Sequence, residues 1–397
     1  MKILLSWLID HLDTSIANIN VANLVHLFNT RTAEIESYQQ ITFDASRFFM
    51  LKISKSEETC EAFCAELQEK ITISIRTDAI INKHYLAYRD SKHWRWASMQ
   101  DFYSDKEGLM PAMQISDFEA QGAWKKNIPT TDYILDIDNK SINHRPDLWG
   151  HYGIAREVAA FLNISLKSLK PILHDLKITD SSKDLSIKLQ AQPHCSRVAG
   201  VFCANVTAQD SAPWMAIRLA QVDSKPMNLA VDLTNYVMFD VGQPMHVFDA
   251  QTFQNNQMIV RMANKNETLQ LLDGQTVSLE PTDVIIANQK EAVSLVGVMG
   301  GKHSGWNANT KNIIIEAAGV DPLTIRKTAQ RLKIRSESSM RFEKHLDPMQ
   351  NIIALQRFLF LAQKLHLLST TSDLVSVGQI IEPKHCTLSH EFAEKML

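Results

Sequence analysis

Residues 313–332 read IIIEAAGVDPLTIRKTAQRL, and the change of rhythm inside them sets the fold class. Ile313–Glu316 opens as a run of β-branched residues, the composition of a buried strand. Asp321-Pro322 then supplies an N-cap and a proline at the first helical position. Ile325, Ala329 and Leu332 follow at helical spacing and give that helix an apolar stripe. Further strands are expected at Val198–Val206, Met258–Met262, Thr268–Leu272, Val284–Ala287 and Ala292–Val296. Asp273-Gly274 makes a hairpin turn before Val277. Asp347-Pro348 repeats the capping device ahead of an apolar helix at Ile352–Leu365. Strands and helices interleaved in this way indicate an α+β protein built from several modules.

Toward the N-terminus the same reading gives a strand at Lys2–Leu5 and a helix capped by Ser6 that carries Trp7, Leu8 and Leu12. Tyr133–Ile137 reads as a strand and Gly150–Leu162 as a helix, with a turn at Asn143–Asp147 between them. The stretch from about Glu34 to Thr131 is polar and irregular. It offers a helix at Glu57–Lys70, a β-like run at Ile71–Ile75 and an aromatic cluster, Trp94, Trp96, Phe102 and Tyr103. Beside Lys92 and Arg95 those rings could stack bases, but packing is the commoner use of such a cluster. Pro171–Asp184, rich in Asp, Ser and Lys, reads as a linker.

Composition narrows the function. The net charge of −3 provides no general positive field for a polyanion. The five cysteines are odd in number and irregular in spacing, unlike a secreted disulfide framework. Cys60, Phe63, Cys64 and Leu67 fit one helical face, which favours core thiols over a metal pair, and no metal site is expected. No apolar run approaches bilayer length, so a cytoplasmic protein that does not enter membranes is expected.

Three stretches concentrate unusual residues. In Asn228–Asp249, Gly242-Gln243-Pro244 forces a turn just before His246, which can aim an imidazole into a cleft, with Asp232 and Asn235 upstream. In Leu295–Gly301, LVGVMGG, the glycines permit close backbone approach, yet the spacing is neither a dinucleotide fingerprint nor a Walker loop. Glu316 closes an apolar strand, where a carboxylate needs donors. It is therefore either a ligand reader or the partner of Arg335 or Arg341. The residues alone reach a small-ligand site on an α+β scaffold.

Taken together, Lys2–Leu8 (KILLSWL), Ile142–Glu157 (INHRPDLWGHYGIARE), Asn228–Asp249, Glu267–Asn288, Leu295–Gly301 and Ile313–Pro348 resemble the bacterial phenylalanyl-tRNA synthetase β subunit. GQPMHxFD, GVMGG and RxExSMRFEKxLDP stand in the family's order. The resemblance implies a small N-terminal α+β domain from residues 1–40 and 130–170. A β-rich, OB-like but divergent segment at 41–129 would be inserted there, without the family's usual motifs. A linker at 171–189 and a tRNA-editing domain at 190–375 would follow, with 376–397 beginning the family's next domain. That ending suggests a fragment or a short form.

The resemblance also implies hydrolysis of tyrosyl-tRNA(Phe). Glu316 would accept from the tyrosine hydroxyl, with Ser336 and Ser338 on the same wall and Gly297 and Gly300 supplying close backbone. His246 and Asn235 would lie toward the ester. Val296 and Ser338 stand where family members commonly carry Ala. No cofactor is implied on this chain; ATP and Mg2+ belong to the holoenzyme, an α2β2 assembly whose α subunit activates the amino acid. A free-standing deacylase and a scaffold with a dead pocket are the competing readings.

Overall fold

A computed structural model of the protein describes every residue except Lys92, Ser181, Ala308, Pro383, Lys384 and Leu397. Lys92, one of the two cations set beside the base-stacking rings, therefore lies outside the described residues. The chain begins with β1 (Lys2–Leu4), α1 (Leu5–Ile9), α2 (Val21–Arg31) and β2 (Ile35–Thr42). After an excursion through β3 (Phe48–Ser56), β4 (Thr59–Cys64), β5 (Glu69–Ser74), β6 (His84–Asp90), β7 (His93–Trp96) and β8 (Ala112–Met113), it returns. The return consists of β9 (Thr131–Ile137) and α3 (His151–Leu162). Because β9 lies between β1 and β2 in one antiparallel sheet, the segments before and after the excursion share a core.

Ser6 does not cap a helix. Leu4 occupies the N-cap of α1 without a side-chain bond, while the Ser6 hydroxyl donates to the Asp132 carboxylate across the sheet. The helix expected at 57–70 is also absent: β4 and β5 form a hairpin within a six-stranded sheet ordered β5-β4-β3-β6-β7, with β8 paired to β6. Here alternation overrides the helical pattern. Cys60, Ala62 and Cys64 are buried while Phe63 is exposed, which is period two rather than 3.6. Trp96 and Phe102 lie in the core, as the packing reading of that aromatic cluster anticipated.

The remainder runs through β10 (Ile178–Thr179), β11 (Ser186–Leu189), β12 (Cys195–Ala204), α4 (Pro213–Gln221), α5 (Leu229–Val241), β13 (His246–Asp249) and β14 (Gln257–Met262). Then come β15 (Thr268–Gln270), β16 (Thr276–Ser278), β17 (Val284–Ala287), β18 (Ala292–Leu295), β19 (Met299–Gly300) and β20 (Ile313–Val320). It closes with α6 (Pro322–Leu332), α7 (Glu337–Phe342), α8 (Gln350–Lys364), β21 (Thr370–Thr371), β22 (Leu374–Gly378) and α9 (His390–Met396). Asp321 caps α6 through Thr324 N, as its position before Pro322 suggests. Asp347 makes no such cap. Its carboxylate accepts from Met349 N in a turn, and α8 starts behind Met349.

Two sheets dominate this part, β10-β22-β12-β20-β13 (with β21 on β12) and β11-β14-β17-β18-β19. Strand β20 separates two cores. Ile313, Ile315 and Ala317 join the core with Leu355 and Phe358 of α8, whereas Ile314 and Ala318 join the core shared with the second sheet. Alternation puts Glu316 on the latter side, between the sheets. The two parts of the chain are tied by Trp7, which stacks between His151 and Tyr236 and donates to Asp240 at 2.8 Å. Gly150 keeps the contact close, since a Cβ there would lie 2.5 Å from Gly242 N.

Candidate functional site

The site starts from a turn. Gly242, at φ +87°, ends α5 and sends the chain into Gln243-Pro244. Gln243 is fully buried, and its amide donates to Pro244 O at 3.0 Å and to Ala318 O at 3.1 Å, which pins the turn to β20. Strand β13 then pairs with β20 in a register that sets His246 directly across from Glu316. The imidazole and the carboxyl are therefore cross-strand neighbours on one face of the sheet.

The opposite wall is the glycine-rich turn between β18 and β19. Gly297 sits at φ +70°, and a Cβ on it would come within 2.8 Å of Ile325 and 2.9 Å of Phe342. At Gly300 a Cβ would fall 2.5 Å from His246 Cε1, so the imidazole rests against bare backbone. Ser336 caps α7 by accepting from Ser339 N, and its hydroxyl donates to Val298 O at 2.7 Å, docking the helix on the turn. These elements enclose a cleft of about 50 Å³. His246 and Glu316 line it from the strands, Ser294 to Gly300 from the turn, and Ser338 with Phe342 from α7.

Both strand residues are enclosed without partners. His246 Nε2 has none, and burial lowers the imidazole to about 4, so it is neutral near pH 7. Glu316 is 6% exposed and has neither a hydrogen bond nor an ion pair among the described residues. Burial pushes its carboxyl up to about 8. The arginine alternative does not hold: Arg341 pairs with Glu337 at 2.6 Å and donates to Trp149 O, and Arg335 is exposed. A neutral imidazole beside a neutral acid can accept one proton and donate another.

Of the residues singled out from sequence, His246, Glu316, Ser338, Val296, Gly297 and Gly300 line the cleft. Ser336 stands behind it, fastening the turn. Asn235 is not brought in. It lies half-buried on α5, which packs on the other side of the sheet, and is absent from the lining. Reading the sequence missed Ser294 and Phe342. Ser294 is a buried hydroxyl in the apolar strand AVSL, the same anomaly that marked Glu316, and could have been found that way. Among the described residues no cluster of His, Cys, Asp and Glu could hold a metal ion, and no helix is long and apolar enough to cross a membrane.

Residues 194–366 match the family described as B3/4 domain. A phenylalanine–tRNA ligase β subunit from Solibacter usitatus is 37% identical over 234 residues, 59% of this chain and 30% of that protein. One from Leptospira biflexa is 30% identical over 389 residues, 90% of this chain and 47% of its own length. The chain thus spans less than half the length of these relatives. A solved N-terminal fragment of the phenylalanyl-tRNA synthetase β subunit from Pyrococcus horikoshii is 15% identical, covering 55% of this chain and 69% of its own, with a TM-score of 0.28, too loose a fit to argue from. The B3/4 match at 194–366 and a likeness running through 90% of the chain make it similar to part of the phenylalanine–tRNA ligase β subunits.

Proposed function

We propose that the chain is an editing module that hydrolyses tyrosine mis-esterified to tRNA(Phe). It would work in the cytoplasm beside the α subunit of an α2β2 phenylalanine–tRNA ligase. The supporting observation is the pairing of His246, whose buried Nε2 has no partner, with Glu316, which has neither a hydrogen bond nor an ion pair among the described residues, in one cleft. Buried polar groups are ordinarily satisfied, and leaving one unmade costs about 1–3 kcal/mol, so an orphaned His246 Nε2 beside an unpaired Glu316 points to a ligand. A pocket for phenylalanine separates tyrosine poorly by size, whereas a site that hydrogen-bonds the hydroxyl can disfavour the analogue lacking it by up to about 10⁴–10⁵. Glu316 is that reader. Water attacks the ester carbonyl, the bond to the ribose oxygen breaks, and the released oxygen takes up a proton. His246, being neutral, can hold the proton the water gives up. ATP and Mg2+ serve amino-acid activation on the α subunit, and no step here runs through them.

Incubating the isolated chain with tyrosyl- and phenylalanyl-tRNA(Phe) tests the reading. Preferential release of tyrosine supports it, and release no faster than without protein sinks it. Co-purification with an α subunit distinguishes a ligase component from a free-standing deacylase. One observation favours a second reading, a scaffold with a closed pocket: about 50 Å³ is tight for a phenol ring, and Val296 and Ser338 both stand in the wall.

A further inference from the structure

Resting on the editing reading, we infer that Glu316 meets the tyrosyl ring as a neutral carboxylic acid that donates to the phenolic oxygen, so that hydroxyl recognition involves no buried negative charge. The resemblance by itself suggested the opposite, a carboxylate that only accepts. The surroundings of Glu316 decide between them.

On β20, Glu316 lies between Gly200 of β12 and His246 of β13. Gly200 contributes no side chain. From β13 the facing titratable group is His246, itself neutral through burial. On β12 the titratable group that senses Glu316 is Cys195, further along the strand opposite Val320; burial and Glu316 push its thiol up to about 12, so it stays protonated. The facing turn brings Ser294, Val296 and Gly300, none of them charged. Helix α7 brings Ser338, while its Glu337 is occupied by Arg341 at 2.6 Å. Among the described residues no cation reaches the carboxyl, and burial alone drives it up to about 8.

An ionised Glu316 would have only a neutral phenol to offset its charge, and a buried charge without a counter-charge is the most costly arrangement a site can hold. A neutral acid escapes that cost. An apolar enclosure can keep a carboxylic acid protonated at pH 7 so that it donates a hydrogen bond. Its O–H and C=O together match the donor and acceptor of a phenol, whereas phenylalanine offers neither. The protonated form therefore reads the hydroxyl from both sides.

Urea denaturation of the whole chain, wild type against Glu316→Gln, tests the protonation state with no tRNA present. Between pH 5 and about 8 the wild type should lose stability relative to Glu316→Gln as pH rises, because the unfolded chain releases this proton while the folded acid retains it. Parallel curves across that range would overturn the inference. A second arm compares tyrosyl- with phenylalanyl-tRNA hydrolysis at pH 7. Glu316→Gln, an uncharged isostere, should keep the tyrosine preference within about threefold of wild type, while Glu316→Ala should lower it by roughly tenfold or more. If Glu316→Gln fell as far as Glu316→Ala, negative charge would be what the site needs, and the neutral acid would be wrong. If wild type hydrolysed neither substrate, the editing reading and the reader's role would fall together, yet the denaturation curves would still report the carboxyl's state.

Discussion

Asp240 and Glu316 are carboxylates buried in neighbouring parts of one molecule, and they have been treated in opposite ways. Asp240, fully enclosed where the N-terminal part meets the B3/4 domain, accepts from Trp7 at 2.8 Å, His11 at 2.7 Å and Arg357 at 2.9 Å. Burial alone would raise its carboxyl, but His11 and Arg357 hold it well below the usual carboxylate range. Glu316 receives no donor and is pushed up to about 8. Equal burial thus gives a fixed anion in one place and a neutral acid in the other. The satisfied carboxylate ties the N-terminal part to the rest of the chain, and the unsatisfied one lines the cleft.

The contrast can be broken most forcefully at Asp240. Asp240→Ala strands the buried Arg357 guanidinium and should cost about 3–5 kcal/mol in urea denaturation. A loss under about 1 kcal/mol would mean that the junction does not depend on the carboxylate. Glu316 should behave with the opposite sign. Its folded pKa lies above the unfolded value, so from about pH 4.5 to 8 the folded state binds the extra proton and stability falls as pH rises. At pH 7 that amounts to about 3 kcal/mol, which Glu316→Gln should recover in part. An unchanged or lower stability in Glu316→Gln would show that Glu316 has an unseen partner.

The wall of the cleft offers a finer test. Gly300→Ala drives a Cβ to 2.5 Å from His246 Cε1, whereas Gly305→Ala meets nothing closer than Leu272 at 3.7 Å. Overpacking of that kind costs about 1–3 kcal/mol. Gly300→Ala should therefore slow tyrosyl-tRNA hydrolysis by roughly tenfold or more, with Gly305→Ala near wild type. Equal rates would remove His246 from the chemistry. The smallest expected effect is a gain. Val296 is stiff and lines the cleft opposite Glu316, and Ser338 adds bulk from α7. Val296→Ala with Ser338→Ala should raise hydrolysis up to about tenfold. An equal or slower rate would mean the pocket is repacked around the larger residues.

How much of this was legible in the sequence depends on how local each cause is. The strand, cap and helix across 313–332 could be read directly, because alternation, Asp321 and Pro322 act within a few residues of themselves. So could the turn before His246 and the anomaly of Glu316. Segment 57–70 could not. Cys60 and Cys64 satisfy both a helical and an alternating pattern, and only the neighbouring strand β3 decides which one is buried. Asn235 failed for a similar reason: its distance in sequence from His246 is short, but α5 packs on the far side of the sheet from the cleft. The absence of an arginine near Glu316 was equally invisible, since it depends on Glu337 and Trp149 holding Arg341 elsewhere.

On the proposed reading, an unpartnered Glu316 distinguishes tyrosine from phenylalanine. The most direct test is the ratio of tyrosyl- to phenylalanyl-tRNA(Phe) hydrolysis at saturating enzyme, measured for wild type and Glu316→Ala in one preparation. Wild type should show a strong tyrosine preference that Glu316→Ala abolishes, mainly by slowing the tyrosyl substrate. An unchanged ratio, whatever the absolute rates, would contradict it.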